Sequence, residues 1–168
     1  MTNHKVKCAN FEISNDKPFT LIAGPCQLEN EVHAIKISTE LKKITNELGI
    51  NLIYKTSFDK ANRTSLKGKR GMGLEKSLPI FDKIRKEVGL PVLTDVHTAE
   101  QCIILKDHVD VLQIPAFLCR QTDLLIAAAK TGTPTSFLIL SNIERDFSNP
   151  IPLFPFKLVR FALSKEVL

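Results

Sequence analysis

The sequence predicts an α/β protein with a parallel sheet, and three observations lead to this fold class. Short apolar runs alternate along the chain with longer segments in which apolar residues recur at helical spacing. Glycine or proline follows most of these segments, as expected where a strand or a helix ends. Charged or chemically reactive residues follow each apolar run, at the positions where the carboxyl ends of parallel strands would meet.

Four pairs of a strand and a helix account for most of the chain. The apolar runs predict strands at residues 19–23, 51–58, 91–96 and 109–114. Helical periodicity predicts helices at residues 30–48, 75–88, 98–106 and 121–130. Gly49, Gly89 and Gly132 follow three of these helices, and Thr98 is the expected amino-terminal cap of the third helix. A fifth strand is predicted at residues 136–140.

Consecutive β–α units imply parallel strands joined by right-handed crossovers. Two folds fit this pattern, a doubly wound sheet and a (β/α)₈ barrel, because helices cover apolar strands in both. A complete (β/α)₈ barrel has about 250 residues, whereas this chain has 168. In the barrel alternative the chain therefore provides the first half, with four to five β–α units.

The composition is that of a soluble globular protein, with 43% hydrophobic and 24% charged residues. Residues 1–10 lack the apolar segment of a secretory signal, and no stretch reaches the roughly 20 apolar residues of a membrane helix. Four cysteines without a C-x-x-C pair favour a reducing compartment, so we predict a cytoplasmic protein with no membrane partner. One tyrosine, no tryptophan and no recognised module argue against a nucleic-acid partner.

The basic charge is concentrated in one segment. Residues 51–70 carry six basic residues against Asp59 alone, a local excess equal to the net charge of +5 of the whole chain. Two lysines, an arginine, an asparagine and several hydroxyl groups lie between Lys55 and Ser65. This mixture favours a small anionic ligand such as a phosphate, bound at one place rather than over a diffuse surface. A solvated loop remains the favoured interpretation for Lys67, Lys69 and Arg70.

Five motifs resemble one enzyme family. They are IAGPC at 22–26, KTSFDKANR at 55–63, LTDVH at 93–97, LQIPAFLCRQTD at 112–123 and AAAKTG at 127–132. Over about residues 5–132 the chain resembles the 3-deoxy-D-manno-octulosonate 8-phosphate synthases, also called 2-dehydro-3-deoxyphosphooctonate aldolases. The resemblance implies a (β/α)₈ barrel and a transferase that condenses phosphoenolpyruvate with arabinose 5-phosphate and water, releases phosphate and serves lipopolysaccharide biosynthesis. It also implies a homotetramer.

The resemblance assigns a role to each matching position in the phosphoenolpyruvate site. Lys55 and Lys60 match the lysines that bind phosphoenolpyruvate, and Gln113 lines the same pocket. Pro115 and Ala116 match a main-chain stretch near the phosphate of that substrate. These are the positions at which the resemblance places catalysis and phosphoenolpyruvate binding.

The sugar phosphate has a second set of matching positions. Asn62 and Arg63 match residues that hold the phosphate of arabinose 5-phosphate, and Thr64 stands where many members have serine. Asp95 matches a contact to a sugar hydroxyl, and Arg120 matches an arginine that reaches across a subunit interface.

Cys26 is the one position with a predicted metal role. A cysteine here resembles the metal-dependent members of the family, which implies a divalent metal, iron or zinc, with a thiolate ligand. The family's other ligands, a histidine, a glutamate and an aspartate, come from later strands, and neither His97 nor His108 matches that histidine.

The match to the family ends near Gly132. We therefore divide the chain into residues 1–132, the amino-terminal part of the barrel, and residues 133–168, a divergent tail. A frameshift or a premature stop would explain this tail, and a genuine rearranged half-barrel is the alternative. Half a barrel would have two open sheet edges and an uncovered apolar interior, so it should be marginally stable, aggregation-prone or dependent on self-association. Two functions stay open, the synthase reaction and a non-catalytic truncated remnant that binds phosphorylated ligands. We expect no measurable turnover from the isolated chain.

Overall fold

The computed structural model describes residues 5–63, 65–137 and 160–161. The strands are β1 (Val6–Cys8), β2 (Phe11–Ile13), β3 (Thr20–Ala23), β4 (Asn51–Lys55), β5 (Val92–Asp95), β6 (Val111–Ile114), β7 (Thr135–Phe137) and β8 (Arg160–Phe161). The helices are α1 (Glu31–Glu47), α2 (Leu74–Lys83), α3 (Ala99–Leu105) and α4 (Thr122–Lys130). The described residues also contain two short turns, a π-turn at Ile84–Val88 and a 3₁₀ turn at Ala116–Leu118.

In the described part of the chain, six strands form a parallel sheet in the order β7-β6-β5-β4-β3-β8. From β3 to β7 each strand pairs with the next strand of this sheet along the chain, and a helix lies between them in sequence. This arrangement confirms the predicted α/β fold class, with four β–α units and a fifth strand, and it is that of part of a (β/α)₈ barrel. All four predicted helices are present, and their ends differ by no more than a few residues from the prediction.

The sheet has two apolar faces because successive side chains of a strand point in opposite directions. On the outer face, Tyr54, Val92 and Leu112 pack with residues of the helices such as Ile37 and Phe81. On the opposite face, which we call the inner face, apolar side chains of three strands pack with the amino-terminal hairpin: Ile53, Leu93 and Val111 with Cys8 and Phe11.

The antiparallel hairpin of β1 and β2 was not predicted. Its two strands have three residues each and pair Val6 with Ile13 and Cys8 with Phe11. The signal was present as alternating apolar and polar residues, but two strands this short are not stable without other contacts. Packing of Cys8 against the inner face supplies those contacts. The turn uses Ala9 with φ of 47°, a conformation that alanine rarely adopts.

The ends of the helices show why their positions could be predicted. Thr98 caps α3 as predicted: its hydroxyl accepts from the main-chain N–H of Gln101, whose side chain accepts in return from the main-chain N–H of Thr98. The predicted helix 75–88 is divided into α2 and the π-turn. Gly89 ends this segment with φ of 72°, as its position in the sequence predicted.

The end of the chain is described only in part. The predicted fifth strand is present as β7, which ends at Phe137, and the rest of that prediction lies outside the described residues. Arg160 and Phe161 pair with β3, so β8 rather than β3 is the outer strand on that side of the sheet. In the part of the chain that the structure describes, no helix has both the length and the apolar character needed to cross a bilayer.

Candidate active site

The inner face changes from apolar to polar towards the carboxyl ends of the strands. Three strands each place an apolar residue and, two positions later, a polar residue on this face: Ile53 and Lys55, Leu93 and Asp95, Val111 and Gln113. Asp95 and Gln113 are direct neighbours in the register of β5 and β6. The structure therefore brings together three side chains that the sequence placed at separate strand ends.

Lys55, Ser57 and Asp95 form a buried hydrogen-bonded group at this edge. The Lys55 ammonium donates to Ser57 Oγ at 2.5 Å and lies 3.1 Å from Asp95 Oδ1, and the Ser57 hydroxyl donates to the same carboxylate oxygen. The side chains of Lys55 and Asp95 are 9% and 14% exposed. Solvent screens a pair of charges at this depth only weakly, so each charge depends on the other for its stability.

Asp95 is held in its ionised form. Burial alone would raise the pKa of this carboxyl, but the interaction with His97, the charge of Lys55 and the hydrogen bond from Ser57 together outweigh burial. The pKa of Asp95 is therefore well below the ordinary value of an aspartate. A fixed carboxylate of this kind can accept hydrogen bonds from the hydroxyl groups of a ligand.

Acid should remove the contribution of Asp95 to stability. Because its folded-state pKa is depressed, that contribution is complete above the unfolded value of about 3.9 and is lost as the pH falls through the folded-state pKa. We expect Asp95→Asn to lower the free energy of unfolding at pH 7 by on the order of 2 kcal/mol relative to wild type. Urea unfolding from pH 7 to pH 2 measures this difference, which should narrow below about pH 4. A difference independent of pH would contradict the assignment.

His97 lies next to Asp95. Its Nε2 is 3.6 Å from Asp95 Oδ2, and its ring meets the ring of Phe58 edge to face with centroids 5.8 Å apart. Its main-chain N–H donates to Gln101 Oε1 at 2.7 Å, which ties the residue to the start of α3. These contacts make His97 a neighbour of both Asp95 and Phe58.

The loop after β4 brings Lys60 to Cys26. The Lys60 ammonium donates to Cys26 Sγ at 3.1 Å, and Cys26 is exposed in the loop that follows β3. Arg63 is half-buried, and its Nε is a buried donor without a hydrogen-bond partner among the described residues. Asn62 is exposed. Thr64, the remaining predicted residue of this loop, lies outside the described residues.

The described residues do not fit a complete metal centre around Cys26. Within 5–63, 65–137 and 160–161 no group of three histidine, cysteine, aspartate or glutamate side chains could share an ion. The group beside the Cys26 sulfur is an ammonium, which donates a hydrogen bond and cannot act as a ligand. A metal at Cys26 therefore stays a prediction that depends on the motif alone.

The remaining predicted residues follow β6. Pro115 is buried and Ala116 is half-buried at the start of the 3₁₀ turn, close in sequence to Gln113. Arg120 is exposed just before α4. Its role across a subunit interface stays a prediction.

Sequence reasoning missed Ser57, which connects the two charged groups of the site. The available signal was its spacing, because a residue two positions after Lys55 lies on the same face of an extended chain. A serine alone carries no charge to mark it, and its partner Asp95 is distant in sequence.

Comparison with known proteins agrees with the motifs. The sequence profile of the DAHP synthetase I family matches residues 3–138. Proteins named 2-dehydro-3-deoxyphosphooctonate aldolase match over 130 residues, which are 77% of this chain and 47% of each relative. Those of Brucella anthropi and Chelativorans sp. are 63% identical to it, and that of Brucella ovis is 62% identical. The chain thus spans about half the length of the curated relatives that it matches.

The family profile, the parallel β–α units and the polar residues at the carboxyl ends of the strands lead to one assignment. The chain belongs to the DAHP synthetase I family. Its three relatives named above are 2-dehydro-3-deoxyphosphooctonate aldolases, also called 3-deoxy-D-manno-octulosonate 8-phosphate (KDO 8-phosphate) synthases, the group that its motifs indicated.

Proposed function

We propose that this chain binds phosphoenolpyruvate and arabinose 5-phosphate at the carboxyl ends of β4, β5 and β6, as part of the active site of a KDO 8-phosphate synthase. The observation that carries the proposal is the convergence of Lys55, Asp95 and Gln113 on one face of neighbouring strands. Ligands of parallel α/β proteins bind at this edge of the sheet.

Phosphoenolpyruvate carries a carboxylate and a phosphate, and the site offers donors for both. Lys55 and Lys60 would bind these groups as compact positive charges, with Gln113 donating from the neighbouring strand. The main chain at Pro115 and Ala116 would lie along the phosphate. Lys55 is already fixed by Ser57 and Asp95, so little conformational entropy is lost when it binds an anion.

The sugar phosphate would occupy the loop after β4. Arg63 supports this placement because its buried Nε has no hydrogen-bond partner in the described residues, and a guanidinium matches phosphate geometry. Asn62 and Thr64 would add hydrogen bonds to the same phosphate, and Asp95 would accept from a sugar hydroxyl. Arg120 would come from a second copy of the chain, which implies a homo-oligomer.

Two anionic substrates repel each other, so their condensation needs fixed cations between them. In the proposed reaction the enol carbon of phosphoenolpyruvate attacks the sugar aldehyde, water adds to the enol-ether carbon and inorganic phosphate leaves. Lys55 and Lys60 would hold the first substrate while Arg63 holds the second. Such positioning makes the step nearly unimolecular and stabilises the developing charge.

Binding without turnover is the second candidate function. The observation that favours it is that, within the described residues, Cys26 belongs to no group of three histidine, cysteine, aspartate or glutamate side chains that could hold a metal ion. In both candidates the partners are small phosphorylated molecules in the cytoplasm, without nucleic acid or membrane.

Removing the charge of Lys60 should weaken phosphoenolpyruvate binding. We expect Lys60→Ala to raise the Kd by about tenfold, because a hydrogen bond to a charged group contributes on the order of 1.5 kcal/mol. Lys86→Ala is the matched control, since it removes the same charge from an exposed residue of the π-turn. Titration calorimetry measures both, and equal Kd values for the two variants and wild type would contradict the proposed site.

Phosphate release distinguishes the two candidate functions. The purified chain is incubated with phosphoenolpyruvate and arabinose 5-phosphate, with and without a divalent metal. Release that requires both substrates supports the synthase reaction. Binding by calorimetry without release supports the non-catalytic alternative.

A further inference from the structure

The loop between β4 and α2 is closed at its base by an ion pair. Arg70 Nε donates to Asp59 Oδ1 at 2.8 Å, and Arg70 Nη2 donates to Asp59 Oδ2 at 2.6 Å. Two parallel bonds of this kind fix the relative orientation of both side chains. The pair therefore joins Asp59, near the start of the loop, to Arg70, near its end. We call this ion pair the loop neck.

Main-chain hydrogen bonds reinforce the neck. The N–H of Lys60 donates to the carbonyl of Arg70 at 2.6 Å, and the N–H of Gly73 donates to the carbonyl of Phe58 at 3.0 Å. Gly71 has φ of 106°, and a Cβ on it would lie 2.5 Å from the Phe58 carbonyl oxygen. The two ends of the loop thus approach more closely than a side chain at Gly71 would permit.

The two residues of the loop neck are close in sequence to the proposed ligand-binding residues but are not among them. Lys60 follows Asp59 directly, and the loop that begins there carries Arg63 as well. The sequence favoured a solvated role for Arg70, whose side chain is 58% exposed, whereas that of Asp59 is 18% exposed. An exposed ion pair contributes little to global stability. Its main effect here is local, because it fixes the ends of a loop that would otherwise have many conformations.

We propose that Asp59 and Arg70 are positioning residues that hold the anion-binding loop in one conformation, so that Lys60 and Arg63 meet a phosphorylated ligand already ordered. This inference rests on the proposed function of the loop. It assigns the affinity of the site in part to two residues that need not touch the ligand, since preorganisation lowers the entropy lost on binding.

Hydrogen exchange and ligand titration on the same variants test the proposal. We expect Arg70→Ala and Asp59→Asn each to speed amide exchange in peptides covering residues 58–73 by about fivefold and to weaken phosphoenolpyruvate binding by about the same factor. The double variant should show the same exchange rate and the same Kd as either single variant, because the two substitutions remove the same interaction. Arg70→Lys, which keeps the charge without the fork, should be intermediate.

Lys83→Ala is the matched control, because it breaks an exposed ion pair of 2.5 Å between Lys83 and Glu31 and removes the same charge as Arg70→Ala. It should change neither the exchange of residues 58–73 nor the Kd. Unchanged exchange in Arg70→Ala and Asp59→Asn would overturn the proposal, as would faster exchange with an unchanged Kd. If wild type does not bind phosphoenolpyruvate, the proposed function fails, and the exchange comparison alone decides whether the neck orders the loop.

Discussion

Gly24→Ala should lower the free energy of unfolding by about 3 kcal/mol, at the upper end of what overpacking usually costs. A Cβ on Gly24 would lie 2.1 Å from the carbonyl oxygen of Lys55 and 3.1 Å from its main-chain nitrogen. Those atoms belong to the neighbouring strand and cannot rotate away as the end of a side chain can. Urea unfolding of the variant and wild type measures the loss.

Gly132→Ala is the control that separates the steric clash at Gly24 from the cost of a positive φ. Gly132 has φ of 70°, and a Cβ there would meet no atom of the described residues within 4 Å, so only the unfavourable left-handed conformation should cost stability, by about 1 kcal/mol. Because a shift of the Lys55 main chain would also move its ammonium, Gly24→Ala alone should weaken phosphoenolpyruvate binding. Equal losses of stability in the two variants would show that β3 and β4 do not approach as closely as described.

Lys55→Met should cost about 3 kcal/mol of folding stability, because it leaves the Asp95 carboxylate buried without its cation. Methionine has a similar length and fills the space, so the loss reports the charge rather than a cavity. Asp95 keeps its contacts with Ser57 and His97 in this variant, so the expected loss of stability is at the lower end of what breaking a buried ion pair usually costs. Chemical unfolding at pH 7 measures it.

The double variant Lys55→Met/Asp95→Asn isolates the interaction between the two charges. If the pair is coupled as its 3.1 Å separation indicates, Asp95→Asn should recover part of the stability lost in Lys55→Met. Strictly additive losses would mean that Lys55 and Asp95 act independently, and they would remove the physical basis for a preorganised Lys55.

The order and type of the main elements could be predicted because local signals determine them. Helical spacing of apolar residues, Gly89 after the second helix and the Thr98 cap each act within a few residues of the chain. The hairpin of β1 and β2 could not be predicted in the same way. Cys8 and Phe11 pack mainly with Ile53, Leu93 and Val111, which lie more than 40 residues away in sequence.

The site shows the same division. Motifs at Lys55, Asp95 and Gln113 marked the correct strand ends, because the carboxyl ends of parallel strands always meet at one edge. Their partners did not follow from the sequence. Ser57 connects Lys55 to Asp95 only because β4 and β5 are adjacent, and Arg70 pairs with Asp59 only because the loop returns to its starting point.

The sequence by itself determined the fold class, the strand ends that carry polar residues and, through the motifs, the family. Only the tertiary structure decided which charges are neutralised, namely Lys55 by Asp95 and Arg70 by Asp59, and which donor, Arg63 Nε, is buried without a partner in the described residues. The physical reason is range. Periodicity and caps depend on neighbours along the chain, whereas ion pairs and burial depend on distances that exist only after the strands have packed.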